Sequence, residues 1–114
     1  MPIQTVTQRN TLATSYGAAA LFGALYSTAP GAAAGTELTG GAPAYARKSL
    51  AWGAAAASAI TAVATFDVAS GSSVVGTGAH TALTLGTYLD GVSVTTQSFA
   101  SQGTYQVTYT YTQS

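Results

Sequence analysis

Thr104-Tyr105-Gln106-Val107-Thr108-Tyr109-Thr110-Tyr111-Thr112 sets Tyr105, Val107, Tyr109 and Tyr111 on one side of an extended chain and Thr or Gln on the other. Successive side chains of a strand point to opposite faces, so a period of two marks a strand with one covered face. One face here is aromatic and the other carries hydroxyls, a composition suited to a pleated, half-buried surface. Upstream, the same alternation recurs from Ala59 to Val68. Ile60, Ala62, Ala64, Phe66 and Val68 share one face, with Thr61, Thr65 and Asp67 on the other. Between these two stretches, Ser70-Gly71-Ser72-Ser73 reads as a turn. Weaker strands are expected around Val74-Val75 and from Thr81 to Leu89. Asp90-Gly91 is the strongest hairpin signal, since a type I′ turn favours that pair.

Nearer the N-terminus, Tyr45 to Trp52 reads as a further strand, and Gly53 to Ser58 as an Ala-rich turn or bulging connection. Pro30-Gly31, Gly35, Gly40-Gly41 and Pro43 punctuate residues 27–44, which are expected to form an ordered loop. The short apolar run Leu21 to Tyr26 suits a buried strand. From Val6 to about Ala20 the chain is expected to form a short helix or a loosely wound arm. Thr5 or Thr7 would cap the helix, and Leu12 and Tyr16 would share a face. The expected fold is mainly β: a single antiparallel β-sandwich, jelly-roll or Ig-like, over residues 21–114. Residues 1–20 form a short N-terminal helix or arm before it.

Composition narrows the function. The chain has 114 residues, enough for one core. Hydrophobic residues make up 47%, but only 5% are charged, against roughly 25% in an ordinary soluble domain. Arg9, Arg47 and Lys48 balance Glu37, Asp67 and Asp90, so the formal net charge is zero. A neutral Ala, Gly, Ser and Thr surface lacks the repulsion that keeps free monomers apart, which points to an assembly and a homo-oligomer. Phosphate binding needs clustered cations, and only Arg47-Lys48 are adjacent, so nucleic acid is not an expected partner. No disulfide, zinc-thiolate site or thiol chemistry is available to a chain without cysteine. The uncharged run Ser49 to Phe66 has too little Leu, Ile and Phe for a spanning helix, and membrane insertion is not expected. Nor does the start, Met1-Pro2-Ile3-Gln4-Thr5, carry the basic, Leu-rich pattern of a signal peptide.

Residues able to do chemistry are few. The single histidine, His80, would need a base or nucleophile partner such as Asp67, Asp90, Ser72 or Ser73, and no nucleophile-elbow pattern supplies one. Asp67, His80 and Asp90 lack the close spacing of a zinc or calcium site. Gly76-Thr77-Gly78 begins like a dinucleotide fingerprint, but Thr81 stands where the third glycine belongs; a flexible strand connection is the expected reading. No enzyme and no cofactor follow from this inventory.

At Thr39-Gly40-Gly41-Ala42-Pro43-Ala44-Tyr45-Ala46-Arg47-Lys48 the chain resembles a group of small proteins of tailed bacteriophages, usually labelled tail-fibre or minor tail proteins. The resemblance continues through Ala24-Leu25-Tyr26-Ser27-Thr28-Ala29-Pro30-Gly31, Leu50-Ala51-Trp52, Ala64-Thr65-Phe66-Asp67-Val68, Gly86-Thr87-Tyr88-Leu89 and Phe99-Ala100-Ser101-Gln102-Gly103-Thr104-Tyr105. It implies a structural protein on the virion, on the tail or the capsid surface, with other virion structural proteins as partners and no catalytic residues to carry over. Capsid decoration or a minor capsid role stabilising the head is one alternative. A carbohydrate-binding receptor module, with a host-surface glycan as partner, is another.

Candidate contact residues are Arg47, Lys48, Trp52, Tyr109 and Tyr111. Charge is so scarce that Arg47 and Lys48 are expected to orient a contact by pairing with Glu37 or Asp67, or with acids of a neighbouring subunit. Replacing Arg47 with Glu is expected to hinder incorporation into particles while leaving the isolated fold intact. Trp52 and the terminal tyrosines suit a core or a subunit contact, and their ring faces suit a sugar.

Overall fold

The computed structural model describes residues 4–113. The two alternating stretches pair with each other. β3 (Ala59–Val68) and β6 (Gly103–Thr112) run antiparallel in an unbroken register, Ile60 opposite Tyr111 and Phe66 opposite Tyr105. Ile60, Ala62, Ala64, Phe66 and Val68 are buried, as their shared face requires. The aromatic face of β6 is half-buried beside them.

This two-stranded sheet lies against a four-stranded antiparallel one. The larger sheet is ordered β2 (Lys48–Ser49), β1 (Phe22–Tyr26), β4 (Ser73–His80), β5 (Tyr88–Ser98). Leu25, Phe66, Val68 and Val74 fill the space between the sheets, with Ala62, Ala64, Leu38 and Leu50 around them. The fold is therefore mainly β, with two antiparallel sheets in a sandwich-like arrangement and one short N-terminal helix.

α1 (Val6–Ala19) starts at Thr5, whose hydroxyl accepts from the Gln8 N–H at 3.3 Å, satisfying one of the donors a helix start leaves free. Helix propensity does little here, because Thr, Ser and Gly recur along the segment. Docking supplies what propensity lacks. Gly17 is buried against Trp52 and Ile60, where a Cβ would sit 2.9 Å from Ile60 Cδ1. Asn10 Oδ1 accepts from the Ser58 N–H at 2.9 Å, and the Trp52 indole donates to Ala20 O at 2.8 Å.

Several sequence expectations are corrected. The expected strand Tyr45 to Trp52 shrinks to Lys48–Ser49, with the Leu50 N–H to Leu21 O bond extending its pairing. Tyr45 leaves the sheet because its hydroxyl turns inward to accept from the Leu25 N–H. Asp90-Gly91 is no hairpin turn; both residues lie inside β5, with Gly91 opposite Gly78. Of the expected strand Thr81 to Leu89, only Tyr88 and Leu89 are in a strand, the start of β5. Residues 81–87 form the connection from β4 to β5, closed by Thr81 N–H to Thr87 O at 3.1 Å, with positive φ at Leu85 and Gly86. Gly76-Thr77-Gly78 is not a flexible connection but the buried middle of β4, where the glycines admit Pro30 and the Tyr26 ring. Among the described residues, no helix is long and apolar enough to cross a membrane.

Candidate functional site

The five candidate residues fall into two groups. Trp52, Tyr109 and Tyr111 converge with Tyr16 on a hollow of about 400 Å³ between β6 and the β4–β5 pair. Gly78 and Gly91, cross-strand partners, also line it. Asp90 and Val92 lie along its β5 side, and Val92 is largely exposed.

The polar atoms of Trp52, Tyr109 and Tyr111 are already engaged. Thr77 Oγ1 donates to Ala24 O at 2.8 Å and takes a hydrogen bond from the Tyr109 hydroxyl at 2.5 Å. Gly23 leaves room for that hydroxyl, since a Cβ there would lie 2.6 Å from it. Burial pushes the Tyr109 phenol up to about 12. Tyr16 stacks on Tyr111 with ring centroids 4.0 Å apart and meets Trp52 edge-on. Burial, with the Asp90 charge added, raises Tyr16 to about 12. The Tyr111 hydroxyl donates to Gln113 Oε1 at 2.7 Å. The arrangement ties α1, β1, β4 and β6 together with hydrogen bonds and ring contacts.

Arg47 and Lys48 sit elsewhere, each paired within the chain. Lys48 Nζ lies 3.7 Å from Asp67 Oδ2. Arg47 grips Glu37 through Nε (3.0 Å to Oε2) and Nη2 (3.0 Å to Oε1), while Nη1 donates to Ala82 O at 2.9 Å and Leu85 O at 2.8 Å. The Tyr45 hydroxyl donates to Glu37 Oε2 at 2.7 Å. Burial pushes the Glu37 carboxyl up, but the hydrogen bonds from Arg47 and Tyr45 outweigh it and hold the group below its ordinary value. Arg47 is thus a clip that fixes the 81–87 connection. The expectation that Arg47→Glu spares the isolated fold is corrected, because that variant would set two carboxylates together and release both carbonyls.

Beyond the clip, the connection exposes Leu83 and Leu85, the latter 87% exposed. Glu37, Leu38, Thr39, Tyr45, Leu83 and Leu85 line a second, shallow depression of about 500 Å³.

His80 is buried at the end of β4, sharing a hydrogen bond with the Tyr26 hydroxyl through Nε2 and meeting the Tyr88 ring edge-on. Burial lowers its pKa, the Arg47 charge adds to this, and Glu37 opposes it. Its hydrogen-bond partner is Tyr26 rather than Asp67, Asp90, Ser72 or Ser73. Among the described residues no group of three His, Asp or Glu side chains is placed to hold a metal ion. Every buried side-chain polar atom described has a hydrogen-bond partner.

Sequence reasoning passed over Tyr16, Asp90 and the Gly78–Gly91 pair as lining residues. Tyr16 carried a signal in its i, i+4 spacing from Leu12, but nothing in the sequence indicated that its ring would lie on Tyr111. Comparison of the chain with models of protein families, with curated proteins and with solved structures found no match.

Proposed function

We propose that the chain is a non-enzymatic structural subunit of a tailed-phage virion, packed on the particle surface in the manner of tail-fibre or minor tail proteins. The phage assignment rests on the segments quoted above. The observation that carries the assembly reading is the disposition of charge. Four of the six charged side chains are neutralised in the pairs Arg47–Glu37 and Lys48–Asp67. Apart from the exposed Asp90, the surface that remains is rich in Thr, Ser, Ala and Gly, with Val63, Leu83, Leu85 and Val92 more than half exposed. Such a surface opposes association weakly and gains from being covered. Arg47 and Lys48 act in this reading as internal struts that shape the contact surface rather than as its charged partners.

Mass spectrometry of purified particles, with immunogold labelling of intact virions, tests the proposal. Gold along the tail supports the tail-fibre or minor-tail form, and gold over the head supports capsid decoration. Absence of the chain from purified particles overturns both. A second reading, a carbohydrate-binding module, draws on the aromatic walls of the hollow and the Asp90 carboxylate on its rim. Glycan-array binding that is lost in Tyr111→Ala would support it, and a blank array would remove it.

A further inference from the structure

The two sheets differ in how they end. β5, at the edge of the larger sheet, breaks register with β4 between Val74 and Gly76 and again between Ala79 and His80, and Asp90 lies on it. Bulges and charges are devices that keep an edge strand from pairing with another chain. β6 has none of them. Its ten residues keep register with β3 without a shift, and they include no proline and no charged residue.

Four backbone bonds fix which backbone groups of β6 face outward. Gln113 N–H donates to Ser58 O, so Gln113 and, by alternation, Tyr111, Tyr109, Val107 and Tyr105 direct their backbone groups at β3. Gly53 N–H donates to Thr61 O from the far side of β3, and Ala59 exchanges both its backbone bonds with Ala56. Thr61 and Ala59 are the partners of Thr110 and Thr112, so those pairs are the ones without mutual bonds. Thr104, Gln106, Thr108, Thr110 and Thr112 therefore present their N–H and C=O groups to an edge on which no other described strand lies.

We infer that this edge pairs antiparallel with the same edge of a second copy, about a two-fold axis through Thr108. A two-fold contact must be self-complementary, and Thr108 is the middle of the five outward residues. The axis sets Thr108 opposite Thr108, Gln106 opposite Thr110 and Thr104 opposite Thr112, each a bonded pair with hydroxyl or amide side chains on one face. Val107 then meets Tyr109 and Tyr105 meets Tyr111 on the other face, aromatic and β-branched pairs that stabilise cross-strand neighbours. No like charges meet anywhere along the seam. The two-stranded sheet becomes a four-stranded one, β3–β6–β6–β3. This deepens the assembly reading and rests on it only for its biological setting.

The chain has no cysteine, so a single introduced thiol reports the geometry. A bonded antiparallel pair places its Cα atoms about 5.5 Å apart, within disulfide range. Thr108→Cys is expected to form a disulfide dimer rapidly under mild oxidation. Thr65→Cys, at an exposed position of β3, would lie at least about 14 Å from its mate in the dimer, three strand spacings away, and is expected not to. Thr108→Lys and Thr108→Glu, both exposed changes that leave the β3 ladder intact, should each sediment as monomers with unchanged circular dichroism, and an equimolar mixture should recover the dimer. Equal cross-linking of Thr108→Cys and Thr65→Cys, or a Thr108→Lys protein that keeps the wild-type oligomeric state, would overturn the inference. A chain that oligomerises by another surface would sink this seam and leave the assembly reading standing, whereas absence from virions removes that reading whatever the cross-link shows.

Discussion

Replacing Arg47 with Met removes a charge while keeping much of the aliphatic stem. The side chains of Arg47 and Glu37 are 10% and 27% exposed, so the pair lies between the surface and buried cases. Exposed pairs contribute about 0–1 kcal/mol, and breaking a fully buried one costs about 3–5 kcal/mol. The bonds to Ala82 O and Leu85 O add about 0.5–1.5 kcal/mol each. A total near 3 kcal/mol is expected, which lowers the urea midpoint by about 1.5 M at a slope near 2 kcal/mol/M. The loss should depend on pH. Glu37 has a depressed folded-state pKa, so its contribution is fully present above the unfolded carboxylate value and lost as pH falls through the folded one. In Arg47→Met the burial remains while its main opposition is gone. The deficit should therefore be largest near neutrality and shrink below about pH 4, where the carboxyl is protonated in the unfolded chain as well. Urea melts of wild type, Arg47→Met, Glu37→Gln and the double variant at both pH values measure the coupling. A coupling under about 0.5 kcal/mol, or a deficit indifferent to pH, would refute this account of the clip. Amide exchange should also quicken across Thr81–Thr87, since the guanidinium holds two carbonyls there.

Gly17→Leu should undock α1, because its side chain would enter space held by Trp52 and Ile60; a cost of about 1–3 kcal/mol is expected, read as faster proteolysis between α1 and β1. Phe66→Ala empties a fully buried site and should cost about 3–5 kcal/mol, measured by thermal or urea unfolding. Tyr16, Tyr26, Tyr45, Tyr88 and Tyr109 all have raised phenol pKa values, burial being the largest cause in each. The folded chain thus holds those protons more tightly than the unfolded one, so stability is retained below the ordinary tyrosine value near 10 and falls as pH rises above it. A spectrophotometric titration showing all seven tyrosines ionising together near 10 would contradict that burial.

The strands with a strict period of two could be read from the sequence, because β3 and β6 each have one covered face. Their pairing could not, because Ala59 and Thr112 are brought together by contacts distant along the chain. Asp90-Gly91 misled for a specific reason. Glycine serves a turn through positive φ, but it also serves close approach of backbone to side chain. Gly91 does the second, since a Cβ there would lie 2.5 Å from the Tyr88 hydroxyl and 3.0 Å from Thr77 O. The turn falls at Leu85-Gly86, where the sequence offers one glycine and no Asn or Asp before it. Of the candidate residues, Tyr109 and Tyr111 share a face as their alternation requires, but that Trp52 would line the same hollow could not be read from alternation or composition. Arg47 and Lys48 did pair with Glu37 and Asp67, the acids named as options, because a sequence with three acids leaves few partners.

The small sheet explains why these features belong together. Two strands alone are marginally stable in water, and β3–β6 presents an outer face of Thr61, Val63, Thr65, Gln106, Thr108 and Thr110, all exposed. What holds it is one-sided: Phe66 and its neighbours in the core, the Tyr109–Thr77 bond, and the Tyr16–Tyr111 stack that leans α1 against it. Among the described residues no further strand covers its β6 edge, and most of the subunit's charge is spent on the Arg47–Glu37 and Lys48–Asp67 pairs. A monomer built to remain alone would place a lysine, a proline or a bulge there. The Thr-rich strand that first revealed the fold is also the one left open, and its regular alternation equips it to be read by a copy of itself.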